Sequence, residues 1–89
     1  MNLGDIVCST AGRDAKRCFV VVGIPKEGYA LISDGKLRKA EKPKLKKLKH
    51  LAFTGKTCLE IKEKLDLGEP VFNGSIREAL KLNANKGEE

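Results

Sequence analysis

Residues 18–22 form an unbroken apolar run, Cys-Phe-Val-Val-Val, and this run limits how the chain can fold more than any other feature. Valine and phenylalanine favour β-strands, and a strand that is apolar at every position is typical of burial on both faces. The chain has 89 residues, enough for one domain with a modest core. We therefore predict a buried strand over residues 18–24 within a small, mainly β fold.

Two further segments, residues 3–10 and residues 29–33, also predict strands. The pair Asp34-Gly35, directly after the second segment, is typical of a tight hairpin turn because glycine accepts a positive φ. We expect a further strand over residues 37–40 to leave this turn. Short strands joined by small turns indicate a meander that curls into a small barrel.

The lysine-rich segment that follows has two conflicting patterns. Leu45, Leu48 and Leu51 are spaced three apart, as in a helical turn, whereas residues 47–53 alternate as in a strand. Periodicity alone does not decide between them. We favour a strand over residues 47–53 that closes the barrel.

The C-terminal part of the chain predicts helices. Thr57-Cys58-Leu59-Glu60 and Ser75-Ile76-Arg77-Glu78 both have the spacing of a capping box, and Gly68 is typical of a helix end. Two such short helices would not be stable alone, so we expect them to dock on the barrel, with a frayed polar end. The chain is thus expected to divide into a barrel over residues 1–54 and a helical extension over residues 55–89.

Positive charge is concentrated in one segment. The chain carries 18 Lys and Arg against 12 Asp and Glu, a net charge of +6. Residues 36–50 hold eight of these cations and one acid, Glu41, so this segment carries +7 and the rest of the chain −1. Such a patch is typical of a protein that binds nucleic acid; the alternatives are a solvated loop, or contact with an anionic membrane or an acidic protein. The eight cations are Lys36, Arg38, Lys39, Lys42, Lys44, Lys46, Lys47 and Lys49.

The polar loop after the first strand adds a second basic cluster. Gly12 allows a close backbone approach to a ligand, and Arg13, Lys16 and Arg17 surround it. An arginine can bind a phosphate through two hydrogen bonds or stack on a base. The alternative is an ordinary turn glycine in a solvated loop. We interpret these four residues, together with the eight cations above, as a nucleic-acid-binding set.

The four aromatic residues, Phe19, Tyr29, Phe53 and Phe72, are too few for a base-stacking platform. Domains that bind single strands or read RNA bases place several aromatic rings on an exposed surface. Phe19 and Tyr29 are expected in the core of this fold. Recognition of a folded nucleic acid through its phosphates and sugar hydroxyls is therefore the better interpretation.

Residues 4–24 also carry a family resemblance. The glycine-led strand Gly4-Asp5-Ile6-Val7, Gly12 in the next loop and the valine-rich strand ending at Ile24 resemble the KOW motif of ribosomal proteins and transcription elongation factors. The similarity extends over residues 3–53 to the large-subunit ribosomal protein fourteen family of archaea and eukaryotes. This resemblance implies an SH3-like barrel, structured ribosomal RNA as the ligand, and a place at the ribosome.

We expect no enzyme activity, no metal site and no cofactor. The only histidine, His50, excludes a paired-histidine metal site and argues against a catalytic triad. Gly55-Lys56-Thr57 resembles the end of a P-loop, but His50 stands where that motif needs its first glycine. The three cysteines, Cys8, Cys18 and Cys58, form no CxxC pair, and no apolar leader is present, so a cytoplasmic protein with reduced thiols is expected.

These observations leave two functional hypotheses. The first is a monomeric KOW-type RNA-binding protein of the translation machinery, whose partners are ribosomal RNA and ribosomal proteins and which contacts no membrane. The second is a protein-interaction adaptor of the transcription and translation machinery. In that case the SH3-like barrel or the C-terminal helices would bind a protein partner such as RNA polymerase.

Overall fold

The structure, a computed structural model, describes the backbone of residues 1–87 and the side chains of residues 1–82. Within that range it is mainly β, as predicted, with five strands, a 3-10 helix and two α-helices. The elements are β1 (Asp5–Ser9), β2 (Cys18–Gly23), β3 (Tyr29–Ser33), β4 (Lys44–Lys47), the 3-10 helix (Leu48–His50), β5 (Leu51–Thr57), α1 (Leu59–Asp66) and α2 (Asn73–Gly87). Helix α2 thus extends into the segment that was expected to fray, and the last part of that segment, residues 88–89, lies outside the described residues.

The strands form one antiparallel sheet in the order β4-β3-β2-β1-β5. Cys8 of β1 lies opposite Cys18 of β2, and β5 begins at Leu51 opposite Ser9. Over residues 1–87, β4 and β5 are the outer strands and do not pair with each other, so the sheet is open. In the chain, only the three residues of the 3-10 helix separate these two strands.

Strand β2 is covered on both faces, as its unbroken apolar run predicts. Phe19 and Val21 are fully buried on one face and Val20 on the other. Alternate side chains of a strand point to opposite faces, so adjacent residues of β2 enter different clusters. We call the first cluster the sheet core (Val7, Phe19, Val21, Ala30, Ile32, Leu51) and the second the helix core (Ile6, Val20, Ile61, Ile76, Ala79).

Both helices belong to the core of the fold. Ile61 of α1 and Ile76 of α2 are buried in the same cluster as Ile6 and Val20 of the sheet. This burial stabilises helices that are too short to persist alone. Helix α1 ends just before Gly68, which has a φ of +74° as its predicted role as a stop requires. In the described part of the chain, no helix has the length and apolar character needed to span a membrane.

Neither predicted capping box forms. Strand β5 continues to Thr57, past the expected domain boundary, and the Thr57 hydroxyl donates a hydrogen bond to the Asp5 carboxylate at 2.7 Å. Cys58 at the N-cap of α1 makes no side-chain capping bond. Helix α2 begins at Asn73, so Ser75 lies inside its first turn. The capping-box spacing thus located both helices, but the predicted N-cap residues, Thr57 and Ser75, do not cap them.

The predicted strand over residues 37–40 is wrong. The Asp34 carboxylate accepts hydrogen bonds from the backbone amides of Lys36 and Arg38, both at 2.9 Å. These bonds form a compact turn and occupy amides that a strand would need for its ladder. The next strand, β4, begins only at Lys44. The strand expected over residues 47–53 is also interrupted, because the 3-10 helix separates β4 from β5.

Cys8 and Cys18 form a disulfide across β1 and β2, with their Cα atoms 4.0 Å apart. The expectation of reduced thiols is therefore wrong for this pair. The two cysteines are 10 residues apart in the chain, and the strand register places them directly opposite each other. Their pairing leaves Cys58 as a free cysteine.

Candidate nucleic-acid interface

Residues 10–17, which we call the glycine loop, connect β1 to β2. Gly12 has a φ of +78°, in the left-handed region that glycine adopts without strain. Lys16 has a φ of 71° and is the only non-glycine residue of the described chain with a positive value. Its amide donates to the Ser9 carbonyl at 2.8 Å, which closes the loop. Arg13 and Lys16 are exposed on this tightly turned backbone.

Asp14 lies buried under the glycine loop, with 3% of its surface exposed. Its carboxylate is 2.8 Å from Lys44 Nζ, 3.8 Å from the Arg38 guanidinium and 4.0 Å from that of Arg17. These cations come from β4, from the segment before it, and from the glycine loop. Asp14 therefore joins two basic segments that are separate in the sequence. Sequence reasoning did not select Asp14.

The hydrogen bond from Lys44 lowers the pKa of Asp14 below its usual value of 3.8. The positive charges of Lys44, Arg38 and Lys46 act in the same direction and together outweigh burial, which raises the pKa. Asp14 is therefore ionised at neutral pH. It neutralises part of the positive charge that it gathers.

Strand β4 directs Lys44 and Lys46 towards the glycine loop. The Lys46 Nζ lies 3.4 Å from the Ala11 carbonyl oxygen and 3.7 Å from where a Cβ on Gly12 would stand. Both lysines are half-buried, whereas Leu45 between them is 46% exposed. We define the basic rim as the cations of the glycine loop together with those that reach the loop or its buried Asp14, namely Arg13, Lys16, Arg17, Arg38, Lys44 and Lys46.

The other predicted cations are less closely grouped. Three of them are exposed on residues 34–43, which we call the basic connection: Lys36, Lys39 and Lys42. Lys47 pairs with Tyr29 at the end of β4 that lies away from Asp14. Lys49 is exposed in the 3-10 helix beside His50, whose carbonyl accepts the Thr10 amide of the glycine loop at 2.9 Å. Lys47 is thus a predicted cation of β4 that lies outside the rim.

Helix α2 contributes two cations that sequence reasoning did not select, Arg77 and Lys81. The Arg77 guanidinium donates to the Gly35 carbonyl at 2.7 Å, and the Asn73 side-chain oxygen accepts the Ala40 amide at 2.7 Å. The first turns of α2 therefore hold the basic connection in place. The i, i+4 spacing of Arg77 and Lys81 on a predicted helix was a usable signal, but their distance in sequence from the basic segments obscured it.

Among the described residues, no three His, Cys, Asp or Glu side chains are grouped closely enough to hold a metal ion. The chain matches no model of a known protein family, and no functionally curated protein matches it either. The geometry of the basic rim is what supports a functional proposal.

Proposed function

We propose that this chain is a KOW-type RNA-binding protein that holds structured RNA by its phosphates on the basic rim. The observation that carries the proposal is the contact between β4 and the glycine loop. Lys44 reaches Asp14, 30 residues away in the chain, at 2.8 Å, and Lys46 reaches the Ala11 carbonyl at 3.4 Å. Two basic segments thereby form one surface, and clustered cations bind several phosphates of one strand together.

The arrangement of the strands supports the resemblance to KOW proteins. A glycine loop joins β1 to β2, and a 3-10 helix joins the two outer strands of a five-stranded antiparallel sheet. These are features of an SH3-like barrel, which is the fold class we propose for the sheet. Ribosomal RNA as the ligand, a place at the ribosome and a cytoplasmic location are the parts of the proposal that depend on this resemblance.

The aromatic residues favour recognition through phosphates. Phe19 is fully buried, and Lys26 lies over the Tyr29 ring at 4.4 Å from its centroid. Phe53 on β5 and Phe72 before α2 are exposed, but they lie on separate elements. Base stacking on a shared aromatic surface is therefore a poor fit, and backbone contacts to a folded RNA are the better one.

The salt dependence of RNA binding tests the electrostatic part of the proposal. If the rim neutralises about four to six phosphates, the logarithm of the association constant should fall against the logarithm of salt concentration with a slope of about −3 to −5. Fluorescence anisotropy with a labelled RNA hairpin measures this slope. Binding that does not change with salt would contradict the proposal.

A charge-reversal pair locates the binding surface. Arg13 of the rim and Lys42 of the neighbouring basic connection are exposed, so the double variant Arg13→Glu/Lys42→Glu should fold normally and weaken hairpin binding by about tenfold or more. The matched control is Lys26→Glu/Lys56→Glu, which changes the net charge equally. Lys26 lies in the turn at the other end of β2 and Lys56 in β5, and the control should lose less than about threefold. Equal losses in both variants would show that only the overall charge matters.

Exposed apolar residues on the helical part support the adaptor as a second candidate. Leu59 is 73% exposed, Leu67 is 67% exposed and Phe72 is 63% exposed. The corresponding test mixes the chain with purified core RNA polymerase and compares it with Leu59→Ser/Leu67→Ser by size-exclusion chromatography. If Leu59→Ser/Leu67→Ser loses co-elution and hairpin binding is unchanged by Arg13→Glu/Lys42→Glu, the adaptor is favoured over the RNA-binding protein.

A further inference from the structure

A groove of about 920 Å³ opens between α2 and the basic rim. Its lining includes Lys16 and Arg17 of the glycine loop, Lys36 of the basic connection, and Arg77, Leu80 and Lys81 of α2. This volume is in the range of sites that bind small organic molecules and exceeds what a single phosphate ion needs.

Cations outnumber carboxylates around the groove. Among the side chains that the structure describes, five lysines and arginines line it against two acids, Asp34 and Glu78. Asp34 is already engaged, because Arg17 donates to one of its carboxylate oxygens at 3.1 Å and the Lys36 amide to the other at 2.9 Å. Arg77 uses one nitrogen on the Gly35 carbonyl, which leaves further donors of its guanidinium for a ligand. The groove therefore suits an anionic group.

The groove also has an apolar part. Leu80 is half-buried there, and the disulfide-bonded Cys18 borders it. Lys16 lines the groove with its backbone at a φ of 71°, a conformation that is unfavourable for lysine and that often marks functional loops. A ligand that combines a phosphate with a flat, weakly polar ring would use both the charged and the apolar parts.

We propose that the groove binds an unpaired nucleotide of the RNA that is held on the basic rim. Lys16, Lys36 and Lys81 would contact its phosphate, and Leu80 would contact its base. The inference rests on the proposed function, because Lys16 and Arg17 belong to both the rim and the groove, so that a strand bound at the rim continues into the groove. An acidic peptide would satisfy the charge but would leave the apolar part without a partner.

The test compares two RNA probes, a blunt hairpin and the same hairpin with a tail of three unpaired uridines. In the unmodified protein the tail should tighten binding by about tenfold, from the added phosphate contacts to the groove lysines and the burial of part of a base against Leu80. Lys81→Glu should reduce this gain below about threefold and change the affinity for the blunt hairpin less than about twofold. Lys81 is exposed and lies outside the rim, so folding should be unaffected. The control Lys56→Glu, which changes a residue that does not line the groove, should keep the full gain.

A titration with uridine 5′-monophosphate, followed by amide NMR shifts, separates this inference from the proposed function. Shifts at Gly74, Arg77 and Lys81 would support a nucleotide site in the groove. If the blunt hairpin failed to bind, that result would contradict the proposed RNA binding at the rim but not the nucleotide site. A tail that adds no affinity, or a gain that survives Lys81→Glu, would overturn the nucleotide site. Equal shifts with a short polyglutamate peptide would assign the groove to acidic peptides instead.

Discussion

Asp14 carries a negative charge directly under a surface that we propose binds phosphates. Its carboxylate holds Lys44, Arg38 and Arg17 in fixed positions before any ligand arrives. Cations fixed in this way lose less side-chain entropy on binding than free lysines do. Asp14 therefore positions the rim while it lowers the total charge of the rim.

The lowered pKa of Asp14 makes the stability of the fold depend on pH. The unfolded chain takes up a proton near pH 3.8, whereas the folded chain does so only at a lower pH. The contribution of Asp14 is thus fully present above about pH 3.8 and is lost as the pH falls through the folded pKa. Urea unfolding of the wild type should show this loss below that pH, and Asp14→Asn should show a smaller one. At pH 7, Asp14→Asn should lower the free energy of unfolding by about 1–3 kcal/mol.

The left-handed backbone at Lys16 predicts a trade-off between stability and binding. Lys16→Gly removes strain of about 1 kcal/mol but makes the unfolded chain more flexible, so the free energy of unfolding should stay equal or rise slightly. RNA affinity should fall because a rim cation is lost. Arg13→Gly removes the same charge from the same loop where φ is negative, and it should destabilise by about 0.5–1 kcal/mol. Equal destabilisation by both variants would contradict the strain at Lys16.

At the scale of elements, α2 holds in place the basic connection, a segment about 30 residues before it in the chain. The side-chain oxygen of Asn73 accepts the Ala40 amide at 2.7 Å, and its nitrogen donates to Glu41 at 2.9 Å. The second bond is the main cause of a lowered pKa at Glu41. A Cβ on Gly35 would stand 2.5 Å from the Asn73 carbonyl oxygen, so α2 and the Asp34-Gly35 turn are in close contact.

Loss of the Asn73 side chain should release the basic connection. In Asn73→Ala the Ala40 amide loses its acceptor, and we expect faster hydrogen exchange at Ala40 and weaker RNA binding, with α2 still folded. Ser75→Ala is the control in the same helix, since Ser75 lies inside the first turn of α2 and not at its start. Similar exchange rates at Ala40 in both variants would show that Asn73 does not anchor the connection.

The elements that the sequence predicts well are those set by local pattern. Apolar residues place β1, β2 and β3, and cap-like and glycine signals locate both helices. The strand predicted over residues 37–40 is wrong because the Asp34 carboxylate accepts the Lys36 and Arg38 amides, which competes with strand pairing. The rim itself depends on Asp14 meeting Lys44, a contact 30 residues apart that no local pattern encodes. The cations of the candidate site could therefore be named from the sequence, but their grouping through Asp14 could not.

At the scale of the whole molecule, two cores share the same central strands, and the fold should unfold as one unit. Ile76→Ala opens a cavity in the helix core and should cost about 2–5 kcal/mol. Leu82→Ala, at a residue that is 62% exposed on the same helix, should cost less than about 0.5 kcal/mol. Fluorescence of Tyr29, the only tyrosine, reports on the sheet, and far-UV circular dichroism reports on the helices. Separate midpoints for the two signals would contradict this coupling.

The disulfide predicts a specific pattern of thiol labelling. Protein purified without reductant and alkylated in denaturant should gain one label, on Cys58, because Cys8 and Cys18 are joined. After reduction it should gain three, one for each cysteine. Intact-mass spectrometry distinguishes the two outcomes. Three labels without reductant would show that the bond does not form in solution.

The two-sided burial of β2 leaves its alignment with β1 weakly determined by hydrophobicity. If β2 slipped by one residue, Val20 and Val21 would exchange faces, yet both would still meet apolar neighbours. The correct register must therefore be selected by contacts at the strand ends. The Cys8–Cys18 bond and the hydrogen bond from the Ser9 amide to the Arg17 carbonyl lie where β1 ends and β2 begins. Substitutions at Cys8, Ser9 or Cys18 should therefore favour misaligned, aggregation-prone conformers.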